Sequence, residues 1–501
     1  MKHFIYCLVF TSFFVPLRAQ QVALDYSFGN LGYVRTSIAP FATYGTIMDR
    51  TIDNRILLVG GAHGSDAGYT ALVRYSTLGD SVNKLLLPYA PPNYPIATAI
   101  KSLPGGNVLI ANASSEKELI KIRPDGTLDS TFGVYGKTPL FRIAAQEIIV
   151  DQPNRILVTG FNLNDFMEYQ KGGYVLAYDM NGKPDSTFGE NGRFRFSQGY
   201  LDFFFRILQQ PDGKLLIAGF SIFGNTRYNS LIRLTEDGVL DESFGAGGMI
   251  FEQFTGNGEN YGLIVQPDKK ILICGYTFDP YQAVVVRYMP DGTRDVTFGD
   301  NGVVYLPGVH EATDMMLFPN GKILTYCWVN NEDNPTALFQ LLPNGALDPE
   351  FGVNGVYFSP FLGFEPPMKM KLVDKNRLVG TGAVIVHMNN SFSTYLQLQG
   401  FLLSLNVGVV TPQEKPSVWA FPNPVSTSSE VGFSLETAET VAIDLYDMQG
   451  KLVSPLLTPT RFEAGEHQIP VWFGQEIAAG AYVIRVTVRG QAAVMVRVVK
   501  A

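Results

Sequence analysis

Gln210-Pro211-Asp212-Gly213-Lys214-Leu215-Leu216-Ile217, answered further on by Leu240-Asp241-Glu242-Ser243-Phe244-Gly245, holds the two halves of a unit that recurs along the chain. The Phe-Gly half returns at Phe28, Phe132, Phe188, Phe244, Phe298 and Phe351, with gaps of 104, 56, 56, 54 and 53 residues. The first gap is two periods of 52, and Leu78-Gly79-Asp80-Ser81 sits where a decayed copy belongs. The strand half starts at Ile56, Val108, Ile156, Leu215, Ile271, Ile323 and Leu378, which makes seven copies. Self-similarity at this period marks a repeat architecture.

Each repeat has a physical reading. Pro211 fixes φ at the second position of a turn and Gly213 takes the positive φ, so a hairpin starts there. The strand that follows is apolar on both faces, as in a sheet covered from both sides. A variable polar loop comes next, then a strand such as Ser230–Leu234 and a second turn at Glu236-Asp237-Gly238. The Phe of the tail is expected to pack between repeats, and its glycine to allow a tight turn. Arg74, Arg233 and Arg287 recur in one strand position, which points to structural pairing with a turn carboxylate.

A blade-sized unit of four short strands, both faces covered, suits radial stacking. The predicted fold class is all-β: a seven-bladed β-propeller followed by a small immunoglobulin-like β-sandwich. The seventh repeat lacks a Phe-Gly tail after Gln399, while Leu24-Asp25-Tyr26-Ser27-Phe28-Gly29 stands alone near the front. If that tail completes the blade built from residues near 370–405, the ring is closed and no sheet edge is left open. An open β solenoid with caps uses the same repeats and is the alternative.

Leu240–Gly245 and Gln210–Leu216 resemble the delta-60 repeat family, and the resemblance covers residues 24 to about 405. It implies a propeller-like fold in an exported bacterial protein and brings no catalytic residues with it.

Composition changes over residues 406–417, which read as a linker. Residues 418–501 hold seven or so short strands separated by turns, the spacing of a sandwich. Their landmarks are Phe421-Pro422-Asn423-Pro424, Leu445-Tyr446-Asp447-Met448-Gln449-Gly450 and Ala479-Gly480-Ala481-Tyr482. The order of these motifs is similar to that of the type A sorting domain of the type IX secretion system. The resemblance implies export across the outer membrane of a Bacteroidetes-type bacterium, with the secretion machinery as partner and a surface or extracellular destination. Pro422, Asn423, Pro424, Gly450, Gly480 and Tyr482 are the motif residues, the glycines serving turns and Tyr482 a core. An accessory sandwich for binding is the alternative, since fold does not fix function.

At the other end, Lys2, the apolar run Phe4–Val15 and Pro16 before Leu17-Arg18-Ala19-Gln20 have the layout of a cleavable signal peptide over residues 1–20. The repeat domain is then expected over 21–405. Elsewhere no segment reaches about 18 uninterrupted apolar residues, so no integral membrane segment is expected in the mature chain. A net charge of −8 and the absence of basic runs exclude a nucleic-acid-binding surface. With 46% hydrophobic residues the chain can bury a core, and its 50 Gly and 30 Pro suit many short strands. Cys274 and Cys327 sit in equivalent strands offset by one residue; such an offset reverses the face, so two free buried thiols are expected.

Motifs for chemistry are scarce. His310-Glu311-Ala312-Thr313-Asp314 lacks the second histidine of a zinc-protease helix and is read as a loop position. His63-Gly64-Ser65-Asp66 gathers triad residue types without triad geometry. The Asp-Gly pairs lack the ligand spacing of a calcium loop. No cofactor or metal site is expected. Function is left to the loops after each core strand, because they vary while the strands repeat. The longest and most aromatic runs from Phe161 through Asp165 and Phe166 to Tyr169. Equivalent loops begin near Gly61, Phe220, Tyr276 and Trp328, and a propeller would place them on one rim, suited to a glycan or protein ligand. A non-enzymatic extracellular binding or scaffold protein is the leading reading. The alternative is a propeller hydrolase or lyase acting on an extracellular polymer, which would show a non-repeated carboxylate or histidine cluster.

Overall fold

The computed structural model describes residues 22–500 apart from 31, 37–41, 64–67, 90–95, 114–116, 152–153, 163–170, 200, 254–257, 279, 330–335, 360–368, 375, 389–390, 404–417, 422–427, 436–437, 448–450, 475–476 and 489–493. The described residues are strands and turns, with a single 3-10 turn at Pro104–Gly106. The apolar strand halves of the repeats become the second strand of each sheet. Ile156–Asn162, Leu215–Phe223 and Ile271–Phe278 each lie between two partners, buried along most of their length.

Over residues 22–403 the described strands form six four-stranded antiparallel sheets and one five-stranded sheet. Taken in chain order, the first spans 42–89, the second 97–139, the third 144–196, the fourth 201–252, the fifth 258–305 and the sixth 311–359. The seventh joins residues 370–403 to the front of the chain. There Val22–Leu24 pairs with Phe401–Leu403, and Tyr33–Thr36 pairs with Leu396–Gln399. Neighbouring sheets share apolar cores in sequence, and the circuit closes through two of them. Phe318, Leu324 and Leu338 of the sixth sheet pack with Leu378 and Phe401 of the seventh. Phe28, Val379 and Leu398 of the seventh pack with Met48, Ile56 and Val73 of the first. The fold is a β-propeller.

The repeated tail explains the joints. Phe28, Phe132, Phe188, Phe244, Phe298 and Phe351 are all fully buried. The Gly292 turn of the fifth sheet comes so close to the Phe244 ring that a Cβ there would lie 2.9 Å from it, and Gly292 has φ +91. Only glycine meets both demands. Gly245 donates its N–H to Asp291 of the same turn at 2.8 Å, and Gly189, Gly299 and Gly133 make the equivalent bond to the sheet that follows. Each tail therefore locks one sheet to the next.

The arginines take the expected structural partners in the well-kept repeats. Arg233 donates to Asp241 at 2.6 Å and Arg287 to Asp295 at 2.8 Å. Both guanidiniums lie 4.4 Å from the centre of a tail ring, Phe244 and Phe298. Each also reaches a proline carbonyl of the following sheet, Pro290 and Pro343. Arg74, in the decayed repeat, keeps only the cross-sheet part, donating to Pro124 O at 2.7 Å. At the closure, Arg377 pairs with buried Asp25 and donates to Ser27 Oγ at 3.2 Å, so the front tail sits in the seventh sheet as the tails do elsewhere.

The cysteines are as expected in state but not in surroundings. Both are free and buried, but they share one apolar cluster between the fifth and sixth sheets. Cys274 Sγ donates to Ala312 O at 3.4 Å, and Ala312 is the cross-strand partner of Cys327. In a radial stack, opposite faces of adjacent sheets meet. A one-residue offset between equivalent strands thus brings two side chains to a common interface.

The C-terminal residues form a three-stranded sheet and a four-stranded sheet, both antiparallel. Val431, Phe433 and Val471 of one pack with Ile443, Leu445, Ile484 and Val486 of the other in a single core. Tyr482 packs against that core and donates its hydroxyl to Ala478 O at 2.8 Å, and Gly480 opens the strand Gly480–Val488. Pro422, Asn423, Pro424 and Gly450 lie outside the described residues, as do the signal segment and the linker.

Candidate functional site

Antiparallel register places the end of each second strand against the start of the innermost strand. Phe161 stands opposite Ala144, Phe220 opposite Phe203, Tyr276 opposite Glu259 and Trp328 opposite Glu311. Four residues flagged as loop starts are therefore joined at one end of their sheets by inner-strand residues. A bulge sits just beyond, at Phe205 and Tyr261, and turns one more aromatic toward the same end.

The rings form an unbroken band across the third to sixth sheets. Phe161 lies 4.7 Å from Phe203, which stacks on Phe220 at 4.3 Å. Phe205 reaches Tyr261 at 5.5 Å, and Tyr261 reaches Tyr276 at 5.8 Å. Tyr281 stacks on Phe278 at 5.3 Å and on His310 at 4.8 Å, and Trp328 meets His310 edge-on at 5.7 Å. Phe278 keeps 49% of its surface exposed, so the band is open to solvent there. Such offset and edge-on pairs add to the apolar contact.

Charge is set into this band at two points. Glu259 accepts from Tyr261 Oη at 2.8 Å and pairs with Arg227, whose guanidinium lies 5.2 Å from the Phe220 ring centre. Glu311 accepts from the Tyr281 hydroxyl. Burial pushes the Glu311 carboxyl above its ordinary range and the Glu259 charge adds to this, while the Tyr281 hydrogen bond works against both. Burial likewise raises the Tyr276 and Tyr281 hydroxyls, so both remain donors at neutral pH. His310 Nδ1 is buried with no hydrogen-bond partner among the described residues.

Of the residues flagged in the longest loop, Phe161 is described and belongs to the band; Asp165, Phe166 and Tyr169 lie outside the described residues. So does the His63 side chain with residues 64–67. His467 Nε2 donates to Glu463 O at 2.8 Å in the C-terminal domain. Sequence reasoning missed Phe203, Phe205, Arg227, Glu259, Tyr261 and Glu311. The run Phe203-Phe204-Phe205 was the available signal, since three aromatics at the start of a strand exceed what one buried face needs.

Comparison with known proteins gives two family matches. Residues 210–244 and 266–298 match the family described as "Domain of unknown function (DUF5122) beta-propeller". Residues 419–500 match the family described as "Secretion system C-terminal sorting domain". No curated protein matches. Among solved structures, the WD40 domain of coronin from Toxoplasma gondii is similar at 9% identity, with 79% of this chain and 91% of that one covered and a TM-score of 0.45. A protein of unknown function from Dyadobacter fermentans is 11% identical, with 74% and 98% covered and a TM-score of 0.41. A calcium-binding protein, regucalcin, from Agrobacterium tumefaciens is 12% identical, with 63% and 94% covered and a TM-score of 0.34.

Proposed function

We propose that this chain, a β-propeller joined to a secretion-system C-terminal sorting domain, is an exported binding protein that takes an extracellular glycan on the aromatic rim of its third to sixth sheets. A signal peptide over residues 1–20 and the sorting domain over 418–501 would deliver the repeat domain, residues 21–405, to the cell surface or beyond it. The band of rings from Phe161 to Trp328 carries the reading, because it runs across four adjacent sheets and opens to solvent at Phe278. Aromatic faces stack on the C–H faces of sugar rings, and tyrosine hydroxyls and carboxylates meet sugar hydroxyls.

Binding is tested with the full chain on an array of extracellular polysaccharides and peptides. Capture of glycans that falls at least tenfold in Phe278→Ala and Glu311→Gln supports the reading. Capture of peptides alone, or glycan binding that both variants retain, refutes it. Delivery is tested separately: deletion of residues 418–501 should hold the protein in the periplasm, and normal export of the truncated form would sink the sorting role.

A hydrolase reading has one observation in its favour. Glu259 and Glu311, at matching positions of two adjacent sheets, lie close enough for the Glu259 charge to add to the burial that raises the Glu311 carboxyl, the direction a general acid at a glycosidic oxygen needs. Release of new reducing ends from a bound polysaccharide, abolished in Glu311→Gln, would establish it.

A further inference from the structure

The inner strands enclose a cavity of about 430 Å³ on the propeller axis, lined by the first, second, third, fourth and seventh sheets. Its walls carry Lys101, Lys369 and Lys371 against Asp49 and Glu147. That balance is unusual in a chain with a net charge of −8.

The carboxylates there are already engaged. Asp49 accepts the N–H of Ser102 at 2.7 Å and Glu147 that of Ile207 at 2.8 Å, each bond tying one inner strand to the next. Asp314 does the same for Met370 at 2.9 Å. These acids are spent in part on backbone donors. Lys369 reaches across the channel to Glu147 at 3.6 Å, a loose ion pair. Nearby, Arg206 donates through Nη1 to Phe205 O, while its buried Nε has no acceptor among the described residues. Burial, and next the Arg206 charge, push the Lys369 ammonium down to about 8. Lys101, Lys369, Lys371 and Arg206 thus outnumber Asp49, Glu147 and Asp314 around this space, a field that favours an anion.

We propose that this axial cavity binds a compact oxyanion, a phosphate, sulfate or carboxylate group, held by Lys101, Lys369 and Lys371. The site is separate from the aromatic rim and does not depend on what the rim takes.

The full chain is heated in sulfate, phosphate or acetate, each against sodium chloride at the same ionic strength. Ligand that binds only the folded state raises the midpoint as its concentration rises. At least one of the three anions should do so, and the one that acts at the lowest concentration gives the chemistry. Lys101→Gln and Lys371→Gln, alone and combined, should weaken the response at least tenfold, whereas exposed Lys183→Gln should leave it unchanged. No rise beyond chloride for any anion would overturn the proposal. So would a response that survives in both single variants, or one that Lys183→Gln removes. Circular dichroism on each variant confirms that the strands persist.

Discussion

Phe244 lies wholly out of solvent against the turn of the following sheet, whereas Phe278, in that following sheet, keeps 49% of its surface exposed beside Tyr281. The first recurs at Phe28, Phe132, Phe188, Phe298 and Phe351, all buried, and an arginine lies over the ring from the same strand position at Phe244 and Phe298. The second occurs once. Repetition around a ring is what packing demands, because each joint solves the same steric problem. Departure from repetition marks where the joint could do without the side chain. The outer seam is thus structure, and the aromatic rim is the part that the joints leave free.

The contrast can be broken first at Phe244. Phe244→Ala should cost about 3–5 kcal/mol of stability, as for other buried aromatic truncations, measured by denaturant unfolding. A loss below about 1 kcal/mol, the level of an ordinary substitution, would mean that the tails do not hold the sheets together. Next come the arginines. Arg233→Ala removes one of the Asp241 donors, with Lys214 and Ser243 left, and also the ring contact to Phe244 and the bond to Pro290 O. It should cost about 2 kcal/mol, whereas Arg74→Ala, which loses only carbonyl contacts, should cost about 1 kcal/mol. Equal losses would erase the distinction between a kept and a decayed repeat.

Acid sharpens the same point. Burial alone would raise the Asp241 and Asp295 carboxyls, but donors from Lys214, Ser243 and Arg233, and from Thr297, Lys270 and Arg287, outweigh it and hold both below the ordinary range. A carboxyl depressed in the folded state stabilises fully above its unfolded pKa, about 3.9, and loses that contribution as pH falls below it. The thermal midpoint should therefore fall between pH 5 and pH 3, less steeply in Asp241→Asn. The smallest effect is expected at the rim: Phe278→Ala should change stability by no more than about 0.5 kcal/mol while removing glycan capture.

Much of this was legible in advance. The Phe-Gly tails, the paired arginines and the displaced first tail each follow from turn chemistry and counting, and Arg377 with Asp25 occupies the place the counting reserved. Phe161, Phe220, Tyr276 and Trp328 could be assigned to one end because they follow the same strand in every repeat. Glu259 and Glu311 could not, since the same inner-strand position holds Ala144 and Phe203 in the preceding sheets and no one residue type is kept there across the sheets. Bulges at Phe205 and Tyr261 add an aromatic that strict alternation along the strand does not predict. The one-residue offset of the cysteines predicts two free buried thiols, as found, while their shared cluster depends on how sheets stack radially.

The pairing of Val22 with Leu403 sets the two ends of the repeat domain side by side. A tether at the C-terminal end pulls on the ring through that one sheet, and the other sheets carry no tension. If both ends are pulled, the antiparallel pairs at 22–24 separate one after another like a zip, so the circle would open at its clasp before any other joint is strained.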